Sequence, residues 1–583
     1  MKNYLLITLG HNSSAIFVDN SSNEQRIIGY EQERLSRIKA DSQFPIDAIN
    51  EIEYNVGFKK MKGCTILVSH WFNSKAISLC KYFSKSNLEK LESYNPEEIK
   101  YVNSKFTHHD AHAFSAYAFF KYHSKGTMLS KETYHTIVSD GFGTDEEVLS
   151  VYAAFGKNEQ PKLIHRVYGY KCSLGLFYQY ATSFVGMKQN QDEYKFLGYE
   201  AHIDEYFTTE QIDYMDHKIS QAVEYFVNAW NIKTKMDVNL RNHSNSIIEF
   251  DKLKNTQTFW HAWFSEFCDG LGISDFTQFR TRCAIAYFIQ QTCEIALTQL
   301  VNEFGIRNLT VSGGTFYNVK LNNKLLTSIE GKFCAMPLAG DQGAAIGMYE
   351  AENKNDAPAF LFDTLAWGKR RLYGFEKYNG SNIYYTKVQK GDEKTLADIA
   401  NSIAEKVSNG GLVDVVFGNM EFGPRALGNT STIFLPTTEN TEQNNRMNMR
   451  NEVMPCAPIC TALDACQLFD TEELNRVIGS DRFMICTHDY MKPYSAQYGG
   501  VMHRKTLDVT HTGRPQIVRP GTFMDYVLQQ VKQATDAKCL VNTSFNVHGN
   551  PIVFDTKDII DNFNFQCAHC EYKALALFVI EFV

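Results

Sequence analysis

The sequence predicts an α/β protein of two domains, and three observations carry that prediction. Apolar runs rich in Val, Ile and Leu recur along the chain, and several end in a glycine turn or a lone acid, where α/β sheets put their ligands. Segments of helical period alternate with them. The clearest is Phe279–Phe304, with apolar Ile285, Phe288, Ile289, Ala296 and Leu300 on one face. The chain has 583 residues, enough for two or more domains. A charged stretch at 352–359 containing Pro358 places the boundary near residue 360, giving domains 1–360 and 361–583.

Composition narrows the class. The net charge of −8 argues against a broad nucleic-acid surface and leaves room only for a local basic groove. There is no run of 18 apolar residues, so no transmembrane helix and no membrane partner are expected. The opening MKNYLLITLGHNSSAIFV has a short apolar part broken by polar residues. It reads as a first strand and not as a signal peptide, which points to the cytoplasm. The 14 cysteines are scattered, and only Cys567 and Cys570 form a C-x-x-C. Without a second pair at zinc-ribbon spacing, they read as reduced thiols.

Tyr4–Leu9 is an apolar strand, and Ala15–Val18 is the returning strand of a hairpin. Between them, the turn Gly10-His11-Asn12-Ser13-Ser14 offers backbone N–H groups that can cradle a phosphate. The mixed-charge segment Glu31–Lys39 has the pattern of a solvated face. In Thr107–Tyr117, His108 and His112 stand four apart, which sets both imidazoles on one helix face. Two histidines do not fill a coordination shell. The candidates for further ligands are Asp140, after strand Thr136–Ser139 and before Gly141-Phe142-Gly143, and Asp341, which opens a small-residue helix. Histidines with carboxylates suit Fe, Zn, Mn or Ni. Strand Leu309–Val311 runs into Gly313-Gly314, with Asn318 beyond, a strand–glycine–helix spacing that fits nucleotide approach. Residues 204–278 carry no motif and read as helices forming an exposed cap.

In the second half, Leu396–Val407 reads as a helix and Leu412–Phe417 as a strand. The stretch GNMEFGPRALGNTS, Gly418–Ser431, then gathers Gly418, Gly423, Pro424 and Gly428 around Glu421 and Arg425. Glycines permit close backbone approach, Pro424 suits a helix start, and a guanidinium grips phosphate or carboxylate at two points. Further on come Arg450, then Arg514 in His511–Val518, and last a strand delivering Asn542 and Ser544.

GNMEFGPRALGNTS closely resembles the G-R-M-E-x-G-P-R-A-L-G-N-R-S signature of the O-carbamoyltransferases, which tail antibiotics and nodulation factors with a carbamoyl group. Asn542–Val553 is almost the family's N-T-S-F-N-x-x-G-x-P-I-V, and Glu193 and Lys195 match its E-x-K. Four positions depart: Asn12 stands for an acid, and Asn419, Thr430 and Met454 for arginines. The H-x-x-x-H, D-G-x-G and G-D-x-G elements are similar to the metal and ATP site shared with tRNA threonylcarbamoyl-transferring proteins.

The resemblance implies an N-terminal actin-like (ASKHA) duplicated core followed by a YrdC-like α/β domain. It implies one divalent metal, iron, held by His108, His112, Asp140 and Asp341, and ATP with Mg as co-substrate. Ser13, Asp140, Gly141, Gly143, Gly313, Gly314 and Asn318 would bind the nucleotide. Glu421, Arg425, Arg450, Arg514, Asn542 and Ser544 would bind carbamoyl phosphate and its adenylate, with Asn542 and Ser544 orienting the carbamate. Arg425, Asn542, Lys39 and His11 would be catalytic, His11 as general base, and Arg34 joins Lys39 as a site residue. The acceptor is expected to be a hydroxyl on a sugar or hydroxymethyl group, a hydroxymethylated nucleobase in DNA included. For the last, Trp367–Tyr373 is the candidate basic groove. Two rival readings are a tRNA-threonylcarbamoylation enzyme and a degenerate nucleotide-binding protein, the latter supported by the four lost charges.

Overall fold

The computed structural model describes residues 2–22, 24–71, 84–124, 132–156, 159–232, 250–352, 360–450, 456–492, 494, 498, 500–505, 508–570 and 574–583. Met454 and Pro358 lie outside the described residues.

Strands β1 (Tyr4–Thr8), β2 (Ser14–Asp19), β3 (Arg26–Glu31), β4 (Thr65–Ser69) and β5 (Ile99–Tyr101) form a sheet in the order β3-β2-β1-β4-β5. The first three are antiparallel neighbours, and β4 and β5 continue parallel to β1. Every residue of β1, β2 and β4 is buried, as their near-continuous apolar sequences require of strands covered on both faces. Strands β6 (Thr133–Ser139), β7 (Glu147–Phe155), β8 (Lys162–Tyr168), β9 (Leu309–Ser312) and β10 (Phe333–Ala335) repeat the plan as β8-β7-β6-β9-β10. Again three strands are antiparallel neighbours and two are parallel additions. The core is duplicated, and the repeat is visible strand by strand.

Each copy is followed by a helix in the same place, His108–His123 after β5 and Ala344–Glu352 after β10. The two pack so closely that a Cβ on Gly347 would lie 1.8 Å from the Ala111 carbonyl oxygen. Only glycine allows that approach, which brings the two copies face to face along one cleft.

Helices Thr209–Ala229 and Phe250–Gly270 fill much of the motif-free segment. Their aromatic residues do not make an exposed cap. Trp260 and Phe226 stack at 5.3 Å, and Trp230 and Phe264 are buried with them against helix Phe279–Glu303. Large rings go inside wherever a helix face offers them a partner.

The remaining strands are β11 (Ile383–Val388), β12 (Leu412–Phe417), β13 (Thr430–Phe434), β14 (Ala457–Thr461), β15 (His488–Asp489), β16 (Val501–Lys505), β17 (Asp508–Gly513), β18 (Gln516–Val518), β19 (Leu540–Ser544) and β20 (Leu575–Phe582). Seven form a mixed sheet, β11-β20-β12-β13-β19-β14-β18, and three form a small one, β15-β17-β16. The expected helix over 396–407 extends to Glu393–Ser408, capped by the Asp392 side chain.

Two seams join this region to the duplicated core. Val477 bridges Phe333 in parallel, and the Ile478 N–H bonds the Phe333 carbonyl at 2.8 Å, so the chain here extends the second sheet past β10. At the other seam, buried Arg34 donates to the Gly423 carbonyl at 2.7 Å, and the Gly423 N–H donates to Glu31 at 3.1 Å. The loop after β12 is thereby pinned to the first sheet.

Candidate active site

The local sequence builds a four-residue cluster at the carboxyl ends of the duplicated strands. Thr107 and Asp110 form a reciprocal capping box at the start of helix His108–His123, satisfying N–H groups that a helix start leaves open. That fixes His108 and His112 on one face. The two Nε2 atoms face each other at 3.1 Å. Asp341 Oδ1 lies 3.2 Å from His108 Nε2 and 3.6 Å from His112 Nε2. Asp140 Oδ2 lies 3.3 Å and 3.5 Å from the same atoms. All four donor atoms fall within 4.8 Å of one another.

Two nitrogens and two carboxylate oxygens converging in a buried space fit a divalent transition metal. Without one, the cluster needs a proton to hold it together. Burial pushes His108 down, but Asp341 and Asp140 outweigh it and lift the imidazole to about 10. Burial raises both carboxyls, and the facing histidines overcome it and hold Asp140 and Asp341 well below the usual carboxylate range. Ser312 at the end of β9 sits 3.3 Å from His112 Nδ1 and orients that ring. The neighbouring His109 points away to Ser150 at 2.8 Å, and burial, then the charge of Arg166, keeps it neutral.

The glycine turns serve the cluster differently from the sequence expectation. Gly141 N–H and Gly314 N–H both donate to Asp140 Oδ1, at 2.8 and 3.1 Å, leaving Oδ2 aimed at the histidines. Gly313 N–H is taken by the Ala339 carbonyl, and Gly143 N–H by the Glu147 carbonyl. These N–H groups are spent inside the protein and are not open to a phosphate. Gly313 has φ +102°, and a Cβ there would lie 2.2 Å from the Ser139 carbonyl oxygen, so the turn needs glycine to close. Asn318 caps helix Val319–Ser328 and bonds Gln290 at 2.7 Å. Buried Ser13 donates to the Gln43 carbonyl.

A second group of side chains forms a cationic pocket around Tyr194. Arg425, Arg450 and Arg514 all act on the phenol of Tyr194. Burial depresses Arg425 and Arg450 below the ordinary guanidinium value. Arg514 falls further, by burial and then by the charge of Arg425. Among the described residues neither Arg425 nor Arg450 has a carboxylate within ion-pair distance, and the Nε of each is buried without a hydrogen-bond partner. Arg450 instead bonds neutral groups, the Ser544 carbonyl at 2.8 Å and its Oγ at 3.2 Å. Asn542 gives its N–H to Gln516 at 2.6 Å and leaves Oδ1 buried and unpartnered. Half-buried cations without facing carboxylates are suited to receiving an anion.

Several expected site residues brace this pocket from outside. Glu421 accepts from the N–H groups of Leu427, Asn429 and Thr430 at 2.7, 2.8 and 3.1 Å and from the Thr430 hydroxyl at 2.5 Å. Its oxygens clamp the signature loop and are not offered to a ligand. For the same reason the loop needs no helix after Pro424, and it runs directly into antiparallel β13. Arg34 is a latch on Gly423. Lys39 is paired with Glu33 at 3.1 Å. In the candidate groove, Arg370 is buried and donates to the carbonyls of Gly418 and Val553, at 3.0 and 3.2 Å, so it faces inward. Arg371 pairs with Glu51. His11 is exposed on the loop after β1. Lys195 bridges Asp192 and His548, the latter at 2.7 Å.

Sequence reasoning passed over two tyrosines. Tyr194 lies inside the E-x-K match and Tyr317 inside the turn before Asn318, each at a position where no pattern demanded it. Both phenols flank Arg425.

The site thus offers half-buried cations and a cluster able to hold a metal, and comparison with known proteins gives the class, a transferase. Family models agree: the carbamoyltransferase N-terminus model matches residues 73–349 and the carbamoyltransferase C-terminus model matches 404–580. An uncharacterized protein of Methanocaldococcus jannaschii is 26% identical over 95% of this chain and 95% of its own. The nodulation protein NolO of Bradyrhizobium diazoefficiens is 31% identical over 44% of this chain and 47% of its own. Among solved structures, the (R)-2-hydroxyglutaryl-CoA dehydratase component A of Acidaminococcus fermentans covers 61% of this chain and 99% of its own. At 13% identity and a TM-score of 0.27 it adds nothing to the strand order already described. The chain belongs to the carbamoyltransferase family, and it is a carbamoyltransferase enzyme. Among the described residues no helix is long and apolar enough to cross a membrane.

Proposed function

We propose that this enzyme is an ATP-dependent O-carbamoyltransferase that works in two steps, divided near residue 360 between a YrdC-like activating half and an actin-like transfer half. Carbamoyl phosphate is hydrolysed to carbamate and phosphate. The carbamate oxygen attacks the α-phosphorus of ATP, giving carbamoyladenylate and pyrophosphate. The acceptor hydroxyl then attacks the carbamoyl carbon, and AMP leaves.

One observation carries this reading: half-buried Arg425 and Arg450, without carboxylate partners among the described residues, gather with buried Arg514 around the phenol of Tyr194. Their charge offsets that of the phosphate groups, and it acts strongly in a low-dielectric space. The unpartnered Oδ1 of Asn542 accepts from the carbamoyl NH2, and Ser544, held by Arg450, lies alongside. His108, His112, Asp140 and Asp341 would hold one divalent metal, iron on the family resemblance, whose Lewis acidity polarises an oxygen when it is bound. Mg accompanies ATP. His11, exposed at the cleft, takes the acceptor proton. Enclosure keeps carbamate and its adenylate from hydrolysis. The acceptor is a hydroxyl on a sugar or hydroxymethyl group, and the inward turn of Arg370 removes one cation from the candidate groove at Trp367–Tyr373 that a nucleobase in DNA would need.

The test is to mix the purified protein with Mg-ATP and carbamoyl phosphate, then follow pyrophosphate and carbamoyladenylate by mass spectrometry. Pyrophosphate that requires carbamoyl phosphate is the expected result. Adenylate formed from threonine and bicarbonate instead would transfer the chain to tRNA modification. If neither donor yields adenylate, a nucleotide-binding role without catalysis replaces the proposal.

A further inference from the structure

The loop that carries Asp341 is shared between the two centres. On one side, Asp341 faces His108 at 3.2 Å. On the other, Leu338 packs against Gly423, where an added Cβ would lie 2.5 Å from Leu338 Cδ2. Gly423 is two residues before Arg425. The residue lying across this loop is Tyr317. A Cβ on Gly340 would lie 2.9 Å from its ring and 3.4 Å from its hydroxyl, so Gly340 is small to let the ring lie down. Gln342 donates its side-chain N–H to the phenolic oxygen. Among the described residues no acceptor pairs with the phenol's own O–H. Tyr317 also belongs to the turn Gly314–Tyr317, whose first N–H holds Asp140. The charges of Arg425 and Asp341 both reach it.

We propose that Tyr317 is a positioning residue at the passage between the arginine pocket and the metal-capable cluster, where its O–H holds the carbamoyladenylate for transfer and its ring closes the route to solvent. The inference rests on the two-step reading above.

The experiment compares wild type, Tyr317→Phe and Tyr317→Ala with Mg-ATP, carbamoyl phosphate and hydroxylamine in the solvent. Hydroxylamine nitrogen attacks the carbamoyl carbon of escaped adenylate, and the carbon–oxygen bond to AMP breaks, giving hydroxyurea and AMP. Hydroxyurea per pyrophosphate, after subtracting the hydroxyurea formed from carbamoyl phosphate without ATP, therefore counts escape without any acceptor. Losing one hydrogen bond to the intermediate should raise that ratio about tenfold in Tyr317→Phe. Tyr317→Ala should raise it further; the ratio is taken per pyrophosphate released, so it reads escape whatever the rate of the first step. The phenyl variant keeps the packing on Gly340, so it decides the matter if the alanine variant loses bound metal. An unchanged ratio in Tyr317→Phe overturns the inference and leaves the two-step reading standing. Pyrophosphate release falling in step with hydroxyurea also overturns it, because Tyr317 would then serve the first step. If wild type forms no adenylate, both readings fall.

Discussion

Replacing Arg425 with methionine should cost activity and raise stability at once. The side chain is half-buried, its Nε is buried without a hydrogen-bond partner, and the phenols of Tyr317 and Tyr194 favour its charge. In the absence of an anion the protein therefore carries an uncompensated cation. Exchanging a half-buried, unpaired charge for an apolar side chain of similar volume should be neutral or stabilising by up to about 1 kcal/mol. About 1 kcal/mol would raise the melting temperature by about 2–4 °C in a domain of about 150–250 residues. Activity moves the other way. Hydrogen bonds to charged groups contribute about 1.5–3 kcal/mol each. Losing a two-point grip on phosphate should therefore lower kcat/KM for pyrophosphate release by on the order of a hundredfold or more. The assay is a thermal melt of both proteins with and without inorganic phosphate, beside the pyrophosphate assay. Phosphate at about 100 times its dissociation constant should stabilise wild type by about 2.7 kcal/mol, and the variant much less. An Arg425→Met protein that melts below wild type without anion, yet gains the same from phosphate, would refute the idea that this arginine waits for one.

His112→Ala removes one of four converging donors, so metal content should fall from about one equivalent towards none, read by plasma mass spectrometry on the purified protein. Full occupancy in that variant would remove the cluster from the mechanism. Asp414, at the centre of β12, is raised to about 8, first by burial and against hydrogen bonds from Thr432 and Gln566. The folded protein thus keeps a proton that the unfolded chain has already lost above about pH 4. Stability should fall between about pH 4 and 8, by about 1.4 kcal/mol per unit from this group. Asp414→Asn should flatten that slope, measured by urea unfolding at pH 5, 7 and 9; parallel profiles for the two proteins would count against it.

Much of this site was legible because motif chemistry sits at the ends of strands. His108 and His112 follow from helical spacing, and Asp140 and Asp341 follow from acids placed after apolar runs. What the sequence hides is the direction in which a polar group is spent. A glycine turn with open N–H groups and one whose N–H groups hold Asp140 have the same letters. Glu421 likewise reads as a ligand-binding acid beside Arg425. Its partners are the backbone N–H groups of Leu427, Asn429 and Thr430, and a pattern cannot record bonds to backbone.

The lost arginines bear on the same point. Thr430 stands where the family pattern has a cation, yet its hydroxyl is shared between Glu421 and the guanidinium of Arg370. Burial depresses Arg370 to about 10, against the pull of Glu421. The positive charge beside Glu421 has thus been supplied from a different segment, 60 residues earlier in the chain. Counted along the sequence, the signature has lost a charge. Counted in space, the loop keeps one, which is why Asn429 and Thr430 still close on Glu421 and leave Arg425 facing the pocket. The case for a degenerate protein rests on sequence counting, and at this position the counting fails.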